Sequence, residues 1–92
     1  MEFGGMTMQQ DCLILFRSLT YAQRAAYVLE RSGITATVRK APPGLTDRGC
    51  TYSVRLRGQH LGNALSLLRR KGLERGKVFM IQPEGGFQEV GP

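Results

Sequence analysis

The feature that most constrains the fold is the order in which apolar patterns follow one another. A continuous apolar run, Cys12-Leu13-Ile14-Leu15-Phe16, has the length and composition of a buried strand. Apolar residues then recur at helical spacing as far as Gly33, and Thr20 and Gln23 form a capping box that predicts where this helix begins. Polar and apolar residues alternate over 34–39, which predicts a second strand.

The same order of patterns returns in the second half of the chain. Residues 51–57 alternate as a strand does, and 61–68 carry leucine and alanine at helical spacing before Gly72 ends the helix. Residues 78–81 form a last apolar run. Two strand-helix-strand units predict an α+β fold, the ferredoxin-like βαββαβ sandwich, with a four-stranded antiparallel sheet and two helices on one face.

The composition predicts one soluble domain. No apolar run approaches the roughly 20 residues that a membrane-spanning helix needs, and the N-terminus shows no signal-peptide pattern, so we expect no membrane partner and a cytoplasmic location. We expect a single domain over 11–82, with flexible tails at 1–10 and 83–92 that are rich in glycine.

The chain is basic, with 13 Lys and Arg against 7 Asp and Glu and a net charge of +6. The positive electrostatic potential of such a protein attracts nucleic acid, phosphate-bearing ligands or an acidic protein. Strand alternation places Arg39, Arg55 and Arg57 on the open face of the predicted sheet, where they are candidates for anion or partner docking. Nucleic acid is the weaker alternative, because Cys50 stands where RNA-recognition domains of this strand order need an aromatic residue and Tyr52 falls on the core side.

The sequence offers little for ordinary catalysis. The one histidine has no identifiable nucleophile beside it, the glycines form no phosphate-binding loop and the internal acids are scattered. Two cysteines and one histidine, far apart along the chain, make a poor metal site. We therefore expect no metal and no cofactor, and the pattern favours a carrier or binding protein over an enzyme.

Cys50 is the candidate for chemistry. It follows a loop rich in proline and glycine and opens the alternating segment, and the nearby Arg48 would favour the thiolate of an exposed cysteine. Alternation, however, places Cys50 on the side of Tyr52, Val54 and Leu56, which is the core side. Judged from residues alone, a small buried cysteine is the favoured interpretation.

Several short segments resemble a family of short bacterial proteins of unknown function, described as selenium/sulfur carrier-like. These are Leu15-Phe16-Arg17-Ser18, the alanine-bearing helix that follows, Ser32-Gly33-Ile34, the prolines Pro42 and Pro43, and Gly49-Cys50 at the head of the third strand. The resemblance covers about residues 12–81. It implies that Cys50 accepts sulfur or selenium as a persulfide or selenopersulfide, that Arg48 stabilises its thiolate, and that the partner is an acidic protein such as a cysteine desulfurase or a sulfur or selenium acceptor.

Two other functions stay open at this point. One is a non-catalytic module that binds RNA or another polyanion on its arginine face. The other is a regulatory domain that binds a small molecule, as other ferredoxin-like modules do. An exposed edge strand would also favour a homodimer.

Overall fold

Every segment predicted as a strand contains a strand, and a fifth strand follows them. The computed structural model describes residues 10–45 and 49–90. In order, these residues form β1 (Asp11–Phe16), α1 (Leu19–Arg31), β2 (Thr37–Lys40), β3 (Tyr52–Arg57), α2 (Leu61–Arg70), β4 (Val78–Ile81) and β5 (Phe87–Val90), with a 3₁₀ turn (Gly58–His60) before α2. The protein is therefore an α+β protein.

The strands form one antiparallel sheet in the order β2-β3-β1-β4-β5. The prediction of four strands is wrong in number, because β5 pairs with β4 and adds a strand within the segment expected to be a tail. Gly85, at φ 100°, takes a left-handed conformation that favours glycine, and the hydrogen bond from Gln82 N–H to the Gly86 carbonyl closes the hairpin. Residues 1–9 and 91–92 of the predicted tails lie outside the described residues.

Both helices pack on one face of the sheet, which confirms that part of the prediction. The first strand contributes alternate residues to this core because its side chains point to opposite faces in turn. The buried side chains of this helix-side core are Cys12, Ile14, Phe16, Ala22, Ala25, Ala26, Leu29, Ile34, Val54, Leu56, Ala64, Leu68 and Val78.

The first helix begins two residues earlier than predicted. Ser18 is its N-cap, with extended backbone angles and a side-chain oxygen that accepts a hydrogen bond from the Tyr21 N–H at 3.2 Å. Thr20 lies inside the first turn of α1, so the predicted capping box with Gln23 is wrong. A serine is as good a cap as a threonine, and the serine comes first along the chain.

Neither helix in the described part of the chain is both long enough and apolar enough to cross a bilayer.

Candidate functional site

Cys50 lies where the loop between β2 and β3 returns to the sheet. The backbone N–H of Ala41 donates to the Thr51 carbonyl at 2.8 Å, which ties the two ends of the loop together. Gly49 has φ 84°, so the chain turns through a left-handed residue immediately before Cys50. β3 starts only at Tyr52. Cys50 therefore belongs to the loop, and the strand alternation does not extend to it.

The thiol of Cys50 lies on the face of the sheet opposite the helices. It is 8% exposed and forms a small cluster with Leu15 and Phe79, packed against the loop residues Ala41 and Leu45. Leu15 and Phe79 alternate with the residues that face the helices. The expectation of burial is met, but the expectation that Cys50 shares the core side of Val54 and Leu56 is wrong, because β3 begins only at Tyr52 and its pleat does not extend back to Cys50.

A glycine makes room for the Cys50 side chain. A Cβ atom placed on Gly76 would lie 2.7 Å from Cys50 Sγ, far inside van der Waals contact. Gly76 is held in place by β1, because its N–H donates to the Leu15 carbonyl at 2.7 Å. The sulfur therefore rests against peptide backbone on one side and the β2–β3 loop on another.

Cys12 lies in a different part of the molecule from Cys50. It is fully buried in the helix-side core, as expected, and both cysteines are free thiols. Burial, and secondarily the charge of Asp11, raises the pKa of the Cys12 thiol to about 12. Because the thiolate is the nucleophilic form, Cys12 is unsuited to sulfur transfer.

The predicted docking arginines are only partly brought together. Arg55 Nε lies 2.9 Å from Asp11 Oδ2, and Arg57 Nε lies 3.4 Å from Asp11 Oδ1. One carboxylate therefore forms ion pairs with both arginines. Arg39 is exposed on β2 and makes no ion pair with any residue in the described ranges. Arg48 lies outside the described residues.

Arg39 and Arg55 lie at a groove on the open face, with a volume of about 150 Å³. Leu13, Ile81 and Phe87 supply apolar surface to its lining. Pro42, at the start of the β2–β3 loop, also borders it. The predicted open face was polar and basic, whereas the observed face combines arginines on β2 and β3 with an apolar stretch on β1, β4 and β5.

Three residues that matter here were not anticipated. Asp11 was not singled out, although it is the first residue of β1 and pairs with two arginines of the neighbouring strand β3. Phe87 was assigned to a tail, but Pro83-Glu84-Gly85-Gly86 before it is a hairpin-turn signal. Gly76 carries no local signal for its contact with Cys50, which depends on the tertiary fold.

Within the described ranges, no three His, Cys, Asp or Glu side chains are grouped as metal ligands would be.

A protein-family model, described as "Putative Se/S carrier protein-like", matches residues 11–79 of the chain. The matched segment includes Cys50, Gly76 and the arginines of the open face. No curated protein sequence matches the chain, and no solved structure does.

Proposed function

The chain belongs to the "Putative Se/S carrier protein-like" family, and we propose that it carries one sulfur or selenium atom on Cys50. The observation that supports this choice of residue is the position of the thiol. It lies outside the helix-side core, against the loop residues Ala41 and Leu45. Exposing it requires a movement of the loop and leaves the packing of helices on the sheet intact. Cys12, in contrast, would be exposed only by opening the main core.

The proposed chemistry is an exchange of one S–S bond for another. The Cys50 thiolate attacks the terminal sulfur of a donor persulfide, the donor's S–S bond breaks, and the donor leaves as a thiolate. The terminal sulfur keeps its proton, so Cys50 becomes a persulfide without an external oxidant. In delivery, a thiolate on the acceptor attacks the same terminal sulfur and Cys50 leaves as a thiolate.

The partners in this proposal are acidic proteins. A cysteine desulfurase is the donor, and a sulfur or selenium acceptor receives the atom. In this proposal, Arg48 stabilises the Cys50 thiolate. The acidic surface of the partner is attracted by Arg39, Arg55 and Arg57. Asp11 offsets part of the charge of Arg55 and Arg57, so Arg39 contributes the most local charge to docking.

The scaffold for this role is of the ferredoxin-like type in our proposal. The order β2-β3-β1-β4 within the sheet supports it, because two linked strand-helix-strand units with antiparallel pairing produce that order. β5 is then an addition at the β4 edge.

The experiment loads the reduced protein with sulfur from a cysteine desulfurase and L-cysteine. Intact-protein and peptide mass spectrometry then locate the added sulfur atom. We expect it on Cys50, lost in Cys50→Ser and retained in the matched variant Cys12→Ser. Loading that is unchanged in Cys50→Ser would refute the proposal.

The polyanion-binding alternative has weaker support. Two of its three arginines share the carboxylate of Asp11. It predicts binding to single-stranded RNA that weakens steeply with salt, survives Cys50→Ser and is lost on charge reversal at Arg55 and Arg57. Binding that is indifferent to salt would contradict it.

A further inference from the structure

We propose that the groove on the open face binds a small organic carboxylate with an apolar body about the size of one aromatic ring. The site lies at Arg39 and Arg55 on one side and at Leu13, Ile81 and Phe87 on the other. It is separate from the residues that contact Cys50, and it does not depend on a carrier role for that thiol.

The cationic side of the groove is suited to one carboxylate. Arg39 and Arg55 project from neighbouring strands, since Arg39 pairs with Ser53 and Arg55 lies two residues further along β3. Arg55 uses Nε for its bond to Asp11, and a guanidinium has further N–H donors on its terminal nitrogens. Arginine presents these donors in a planar fork that matches a carboxylate.

The apolar side of the groove would receive the body of the ligand. Leu13 is nearly buried in the sheet, and Ile81 pairs with Phe87 across β4 and β5. Phe87 is a large apolar side chain that is 39% exposed, so a ligand that covers it removes apolar surface from water.

The volume of the groove matches a ligand body about the size of one ring. A cavity of about 150 Å³ accommodates one benzene ring. A nucleotide or a folded protein surface would extend well beyond such a site. Separation of charge and apolar surface across the groove therefore favours a single-ring carboxylate over a polyanion.

The test uses 3-phenylpropionate as the probe and its neutral amide as the matched ligand. Binding to the full chain is followed by backbone amide shifts in NMR, which also report whether each variant is folded. We expect saturable shifts at β3, β4 and β5, and binding of the amide at least about tenfold weaker, because it loses the charge-assisted hydrogen bonds.

Three variants make the assignment specific. Arg39→Gln should weaken carboxylate binding by about tenfold and leave amide binding unchanged. Asp11→Asn should strengthen carboxylate binding, since it removes the anion that competes for Arg55. Arg69→Gln removes one charge from an exposed position on α2. It is the control for the effect of net charge and should change carboxylate binding little.

Four results would overturn the proposal. These are equal affinity for the carboxylate and the amide, shifts located away from the groove, an equal loss in Arg69→Gln and Arg39→Gln, and no saturable binding. Failure here would leave the proposed role of Cys50 untouched, because sulfur loading is measured on a different residue by mass.

Discussion

The sulfur of Cys50 lies against the backbone of Gly76, where a Cβ atom would be 2.7 Å from Sγ. This contact joins the end of the β2–β3 loop to the segment that leads into β4. Gly76 is fixed by its hydrogen bond to Leu15, so the glycine cannot easily retreat from a larger neighbour. In the proposed carrier cycle, an added sulfur atom would therefore have to extend away from Gly76.

Replacement of Gly76 by alanine should destabilise the protein through this contact. We expect Gly76→Ala to lower the free energy of unfolding by about 1–3 kcal/mol, as overpacking does. The loss should shrink when Cys50→Ala is present, because the nearest atom to the new methyl group is then gone and the Leu15 atoms are at 3.3 Å or more. Urea unfolding of the four proteins of this double-mutant cycle measures the coupling.

The matched control for this cycle is Gly62→Ala on α2. A Cβ at Gly62 would meet no atom within 4 Å, so alanine there should stabilise the helix by about 0.5–1 kcal/mol. Strictly additive effects of Gly76→Ala and Cys50→Ala would show that the Cys50 sulfur is not the cause of the loss.

Truncation of Leu45 should expose the Cys50 thiol. Leu45 is one of two loop residues packed against the Cys50 cluster, and its side chain contributes nothing to the helix-side core. Leu45→Ala should raise the rate at which a thiol reagent labels Cys50 several-fold, with a smaller effect on global stability. The rate is measured by mass spectrometry in native buffer. Equal labelling in both proteins would mean that another group limits access.

The periodic elements could be predicted because each has its own local pattern. The helix-side core is an example, since Ile14, Val54 and Leu68 lie where alternation or helical spacing places them. The strand β5 escaped prediction because three of its four residues are exposed, so its sequence lacks a buried stripe. For an edge strand of this kind, the residues of the preceding turn predict the strand better than its own residues do.

The side on which Cys50 lies could not be predicted by counting residues. Alternation holds only where the backbone is regularly pleated, and β3 begins at Tyr52, two residues after the cysteine. The contact with Gly76 joins segments far apart in sequence. Alternation alone identified Arg39 and Arg55 as residues of the open face. Phe87, which lines the same groove, could be placed there only once the position of β5 in the sheet was known.

Removal of the observed helix cap should cost more than removal of the predicted one. Ser18→Ala deletes the acceptor for the Tyr21 N–H and should lower the free energy of unfolding by about 1 kcal/mol. Thr20→Ala places a better helix former at an exposed position in the first turn, so it should be neutral or slightly stabilising. Denaturant unfolding compares the two variants. A larger loss from Thr20→Ala would contradict the cap at Ser18.

Deletion of residues 83–92 should destabilise the sheet and uncover an edge. Val90 packs against the helix-side core, and β5 satisfies the backbone groups of β4. We expect a loss of about 1–3 kcal/mol in the free energy of unfolding and self-association through the exposed β4 edge. Calorimetry and light scattering report the two effects. Deletion of residues 91–92 alone is the control, and equal behaviour of the two deletions would show that β5 is dispensable.

The stability of the protein should fall at alkaline pH because of Cys12. Its thiol has a pKa near 12 in the folded protein against an ordinary value of 9.0, so from pH 9 to pH 12 the unfolded chain releases a proton that the folded chain keeps. The stabilisation is complete below pH 9 and is lost as the pH rises toward 12, at no more than about 1.4 kcal/mol per pH unit. In Cys12→Ala this part of the slope should vanish. Urea unfolding across this range gives the two curves, and parallel curves would mean that Cys12 ionises equally well in both states.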